Sequence, residues 1–127
     1  MPRHRIHTDQ APAAIGPYSQ AVRSGNGVYL SGQIALDPAS GEVVEGATDA
    51  QARRAFHNYK PVCMPPGGSL HHVARVGLYL PDLGDFAAVN AVMAEYFDAP
   101  YPARTTIGVS ALPKGVAFEV DAVMVLD

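Results

Sequence analysis

The segment Val116–Leu126 constrains the fold more than any other. It sets Val116, Phe118, Val120, Ala122 and Met124 on one side of an extended chain, and Glu119 and Asp121 on the other. That two-residue period describes a strand with one buried face and one open face. The chain must therefore supply both a sheet and a layer to cover one side of it.

Other segments fit the same scheme. Tyr18–Ser24 and Val28–Ala35 read as two strands joined through Gly25-Asn26-Gly27, where Asn-Gly provides the positive φ angles of a tight hairpin. In the second, Val28, Leu30 and Ile34 point one way, and Tyr29, Ser31 and Gln33 the other. Val73–Leu80 alternates with Ala74, Val76, Leu78 and Leu80 on its apolar side, opposite Arg75, Gly77 and Tyr79. Arg104–Ser110 sets Arg104, Thr106 and Gly108 against Ile107 and Val109.

Two stretches have helical spacing instead. Thr48-Asp49-Ala50-Gln51 has the form of a capping box, followed by a stripe of Ala52, Ala55, Phe56 and Tyr59. Pro61 and then Pro65-Pro66-Gly67-Gly68 predict a short or kinked helix with an irregular exit. Asp82 or Asp85 is placed to cap a second helix, with Phe86, Val89, Met93 and Phe97 inward and an end before Pro100. The order strand, strand, helix, strand, helix, strand, strand predicts a single α+β domain over residues 1–127, with both helices on one face of the sheet.

Composition narrows the function classes. With 12 Gly and 11 Pro among 127 residues, a helix bundle is disfavoured. Lys and Arg number 9 against 12 Asp and Glu, a formal charge of -3, without the basic excess of a nucleic-acid or anionic-membrane binder. The longest stretch lacking these charges, Pro61–Ala74, is broken by prolines and is shorter than the ~20 apolar residues of a membrane span. No apolar segment follows the basic start, and Cys63 stands alone, so a reduced cytoplasmic protein is expected.

The face left without helices is expected to carry Tyr29, Ser31, Gln33, Arg75, Tyr79, Arg104, Thr106, Glu119 and Asp121 beside Val73, Val123 and Val125. This mixture suits packing against other subunits better than solvent or a sealed core. If the last two strands form a hairpin, Arg104 and Glu119 lie close together. If Val73–Leu80 intervenes, Gly77 leaves a gap between them. Each residue also has a plain structural reading: Arg104 with Glu119 as an ion pair, Ser31 as an interface hydrogen-bonding group, Tyr18 as strand packing. His71-His72, His57 and Cys63 complete no metal-ligand spacing, no Cys-x-x-Cys is present, and the phosphate-cradling glycine motifs are absent.

Four motifs stand in order: Ala14-Ile15-Gly16-Pro17-Tyr18-Ser19-Gln20-Ala21, Leu30-Ser31-Gly32-Gln33-Ile34, Tyr101-Pro102-Ala103-Arg104-Thr105-Thr106 and Leu112-Pro113-Lys114. Together they resemble the Rid (YjgF) family, and most nearly its RidA-type enamine/imine deaminases. The resemblance implies a chorismate-mutase-like fold, a homotrimer whose sheets line a central barrel, and clefts between subunits. It implies catalytic roles for Arg104 and Glu119, with Tyr18, Ser31, Gly32, Thr106 and Asn90 lining the pocket. The implied reaction is hydrolysis of 2-aminoacrylate and 2-iminobutyrate to 2-keto acids and ammonia, with no cofactor and no metal. Members of other kinds imply alternatives: a non-catalytic 2-keto-acid-binding regulator, or an endoribonuclease that inhibits translation. Two departures from the family pattern stand out, Thr106 in place of a common cysteine and the run Lys60–Gly67, where the family continues its first helix.

Overall fold

The computed structural model describes residues 2–127. Its elements are β1 (His4–Ile6), β2 (Ala21–Ser24), β3 (Gly27–Gln33), α1 (Thr48–Cys63), β4 (Val73–Leu80), α2 (Phe86–Tyr96), β5 (Ala103–Gly108) and β6 (Glu119–Val125). The strands form one mixed sheet in the order β1-β2-β3-β6-β4-β5, antiparallel throughout except for the parallel β4–β5 pair. The expected α+β architecture with two helices on one face is thus present, with one strand more than the sequence suggested. β1 was missed because it is only three residues long and its one buried side chain, Ile6, leaves no alternation to read.

The inward residues of β6 are the ones its period picks out. Val120, Ala122 and Met124, with Phe118 just before the strand, are buried in one cluster with α1 residues Ala52, Ala55, Phe56 and Tyr59 and α2 residues Val89 and Met93, and Val116 further upstream is buried too. Phe56 organises this layer. Its ring lies 5.6 Å from Phe97, edge to face, and 5.5 Å from Phe118. No helix among the described residues is long and apolar enough to cross a membrane.

Several local expectations need correction. The Thr48–Gln51 capping box does not form: the capping position is Ala47, without a side-chain cap. The Thr48 hydroxyl instead donates to Asp85 Oδ2 at 2.8 Å, and Gln51 Oε1 accepts from the Ala117 N–H at 2.8 Å. Tertiary partners outcompete the local ones, tying α1 to the start of α2 and to the approach to β6. Asp85 does occupy the capping position of α2 but is spent on Thr48, while Asp82 accepts from the Gly84 N–H in the preceding 3-10 turn. Pro61 does not stop α1, which continues to Cys63 because Val62 and Cys63 are fully buried and anchor its last turn. The irregular exit follows, through a turn closed by Gly67 N–H to Met64 C=O at 2.9 Å.

Two bulges change the faces of residues beyond them. In β3, Leu30 pairs with Ala122 and Gln33 with Val120, so Ser31 and Gly32 together oppose Asp121. Gln33 therefore turns inward and is buried, not on the open face as its alternation suggests. In β4, Val73 pairs with Met124 and Arg75 with Val123, leaving Ala74 extra. Val73 is accordingly in the core and Ala74 exposed, the reverse of the expectation. The open face keeps Tyr29, Arg75, Tyr79, Glu119, Asp121, Val123 and Val125, and gains Thr105 and Ile107 from β5.

Candidate functional site

β4 lies between β5 and β6, so the direct hairpin between the last two strands is excluded. β5 is an edge strand in register with β4: Arg104 beside Val76, Thr106 beside Leu78. Both neighbours are fully buried under the helices. Arg104 and Thr106 thus lie on the helix side of the sheet, a correction to their expected place on the open face. Their alternation was right and its sense was inverted, because an edge strand half exposed on both faces gives no apolar bias to orient it.

Arg104 sits at the flank of α2. Its Nη1 donates to Asn90 Oδ1 at 2.6 Å and approaches Met93 Sδ at 3.6 Å, and the guanidinium lies 4.9 Å from the centroid of the Phe86 ring. Asn90, expected as a pocket-lining residue, is thus a hydrogen-bond partner of the arginine, and Phe86, not singled out for the site, stacks beside it. Among the described residues Arg104 has no carboxylate partner, so a structural ion pair with Glu119 is excluded in the single chain. The Nε and Nη2 edge makes no hydrogen bond to these residues, which leaves a planar donor pair suited to a carboxylate. Arg104 borders a pocket of about 350 Å³ together with Asn90, Met93, Ala94, Tyr101 and Pro102.

Glu119 occupies the opposite, open side. Its carboxylate lies directly over Gly32, at the β3 bulge, where any Cβ would collide with Oε2. Burial, and then the neighbouring Asp121 carboxylate, raise the Glu119 carboxyl above the ordinary range. Asp121 lies in the same way over Gly77 and accepts from the Tyr79 hydroxyl at 3.0 Å, while its Oδ1 is buried without a partner among the described residues. Gly77 therefore makes room for a carboxylate rather than leaving a gap.

A hollow of about 520 Å³ opens beside Glu119 and gathers Tyr18, Ser31 and Gly32 with it, together with Ile15 and Lys114. Tyr18 is exposed, and the Ser31 hydroxyl donates to the Ser19 carbonyl at 2.5 Å, which makes it a strut rather than a nucleophile. The segment bearing Ile15 and Tyr18 is held by Gln20, whose buried amide donates to Pro12 C=O at 2.8 Å and accepts from Thr8 N–H at 2.8 Å. Gln20 and Lys114 were not singled out from the sequence, although both lie within its quoted motifs. Lys114 holds φ 57°, unusual for a side-chain-bearing residue, at the rim of this hollow.

The seven expected site residues thus fall into two groups on opposite sides of one sheet. Arg104, Asn90 and Thr106 lie on the side of α2, whereas Glu119, Tyr18, Ser31 and Gly32 surround the open-face hollow.

The profile of the family described as Endoribonuclease L-PSP matches residues 8–126. Protein DfrA of Myxococcus xanthus is 53% identical over 127 residues, covering 98% of this chain and 97% of that protein. The 2-iminobutanoate/2-iminopropanoate deaminase of Dermatophagoides farinae is 43% identical over 126 residues, covering 99% and 98%. The crystal structure of RidA from the Antarctic bacterium Psychrobacter sp. PAMC 21119 superposes with a TM-score of 0.93 at 46% identity, covering 97% of this chain and 99% of that one. With its two helices on one face of a six-stranded mixed sheet, the chain belongs to the Rid (YjgF) family.

Proposed function

We propose that this protein hydrolyses small 2-imino acids and their enamine tautomers, such as 2-aminoacrylate and 2-iminobutyrate, to 2-keto acids and ammonia. The site forms where the Arg104 pocket of one copy meets the Glu119 hollow of the next, within a homotrimer. One observation carries this reading: a carboxylate-binding fork and an acid with a raised pKa are each well formed, yet stand on opposite sides of one chain's sheet. Neither half alone both holds and hydrolyses an imino acid. The deaminase name of a relative 43% identical over 126 residues supports the choice of reaction.

The chemistry follows from the groups present. The Nε and Nη2 edge of Arg104 receives the substrate carboxylate, and Asn90 and Phe86 hold the guanidinium in place, so C2 is fixed relative to the opposite wall. Glu119 of the adjoining copy takes a proton from water as its oxygen adds to C2, then returns it to the nitrogen as the C–N bond breaks. The imine reacts as its protonated iminium form, so the electrons of that bond leave with neutral ammonia while the hydroxyl gives its remaining proton to the freed Glu119 carboxylate, and the keto group forms. For the enamine tautomer, the protonated Glu119 first delivers its proton to the terminal carbon. The imine carbon is already electrophilic, so no prosthetic group enters the scheme. Tyr18 and Ile15 close the hollow around the apolar end of the substrate.

The test couples the purified protein to a dehydratase that releases 2-aminoacrylate and follows keto-acid formation. Arg104→Ala is expected to raise KM steeply. Glu119→Gln is expected to lower kcat by about 100- to 10,000-fold. Acceleration that survives both substitutions overturns the assignment. Saturable keto-acid binding without acceleration would make the protein a regulator, and salt-sensitive RNA cleavage lost in Glu119→Gln would return it to the activity named in the family description.

A further inference from the structure

A third cavity, of about 380 Å³, touches the Arg104 pocket only through Pro102 and shares no lining residue with the Glu119 hollow. It opens between the C-terminal ends of α1 and α2 and the chain entering β4 and β5. Its walls are mainly apolar, from Leu70, Val73, Tyr96, Phe97 and Met64. The volume falls within the range of small-molecule sites, about 300–1,000 Å³.

What distinguishes the cavity is its charges. Lys60 and Asp98 both border it, and among the described residues neither takes part in an ion pair, with the other or with anything else. The Lys60 ammonium is kept at the wall by the Tyr96 ring, 5.2 Å from its centroid. An apolar hollow with one unpaired cation and one unpaired anion is complementary to a molecule carrying both charges on an apolar body. A simple fatty or aromatic acid would meet Lys60 but also Asp98, and an amine the reverse. Met64, whose side chain is 69% exposed at the rim, is an unbranched thioether able to fold over such a guest.

We propose that this cavity binds a free α-amino acid with an apolar side chain, its carboxylate on Lys60, its ammonium on Asp98 and its side chain against Leu70, Val73 and Phe97. The site is independent of Arg104 and Glu119 and does not rest on the proposed reaction. His71 also borders the cavity.

The experiment is calorimetric titration of the assembled wild-type protein with L-phenylalanine and L-leucine, set against 3-phenylpropanoate and phenethylamine. The amino acids are expected to bind saturably, and each analogue lacking one charge about tenfold or more weaker, the loss of one charge-assisted contact. Lys60→Met and Asp98→Asn, both surface replacements, should each weaken L-phenylalanine by a similar factor, whereas Arg104→Ala should leave it unchanged. Absence of saturable binding overturns the proposal. So does equal affinity for the single-charge analogues, loss of binding in Arg104→Ala, or a structure of the assembly in which a neighbouring copy fills the cavity.

Discussion

Glu119 works in an environment that its neighbours set. Burial is the larger influence on its carboxyl and the Asp121 carboxylate, two residues along β6, is the second, both acting to keep the proton on. Asp121 is fixed by the Tyr79 hydroxyl, whose own ionisation is pushed upward by burial and by this bond, so that it remains a donor. Lys114 and Tyr18 line the same hollow as Glu119. A base must lose its proton before it can act, so activity should rise with pH through the raised pKa of Glu119. Asp121→Asn removes the second influence and leaves the first. The low-pH limb of the kcat/KM profile is therefore expected to move toward lower pH, with little change at the plateau. Carbon NMR titration of Glu119 in the same variant reads the shift without relying on turnover. An unmoved limb together with an unmoved titration would exclude Asp121 as its cause.

At the scale of elements, the site depends on the β3 bulge, and the bulge depends on α1. The Tyr59 hydroxyl, fully buried, lies 2.8 Å from both the Ser31 and the Val120 carbonyls, where the extra residue interrupts the ladder. Tyr59→Phe leaves two buried acceptors short of a donor and is expected to cost about 1–3 kcal/mol in urea unfolding. It should also lower kcat more than it raises KM, because Gly32 seats Glu119 while the arginine pocket is untouched. Unchanged stability would mean that the two carbonyls find other donors. These interruptions of the ladder also mark the limit of what the amino-acid pattern conveys. Alternation located β2 to β6 and the inward side of β6, since burial on one face selects residue types at every second position. It could not reveal that Ser31-Gly32 and Ala74 each add a residue, so Gln33 and Val73 come out on faces opposite to those expected. Nor could it orient β5, where Ile107 is 44% exposed on the open side while Arg104 packs along α2. The family resemblance supplied the candidate site residues. Their division between two faces is a property of register, which no single motif contains.

For the whole molecule, the proposed reaction combined with that division requires two copies to complete one site. The open face bears Tyr29, Ile107 and Val125, exposed by 52%, 44% and 48%, with nothing over them among the described residues. Such a surface suits a contact with further copies. If Arg104 comes from one copy and Glu119 from its neighbour, two inactive variants should repair one another. Arg104→Ala retains the acid, and Glu119→Ala retains the fork. Unfolded together in equal amounts and refolded, they should form mixed assemblies in which about a quarter of the sites receive one intact half from each parent, in any ring with head-to-tail contacts. Each variant alone should remain inactive, and a double variant refolded with an equal amount of wild type should leave about a quarter of the sites active, half of what dilution alone would leave. Recovery near that quarter, measured in the coupled dehydratase assay, requires the shared site. No recovery from assemblies shown by native mass spectrometry to be mixed would mean that Arg104 and Glu119 never serve the same substrate.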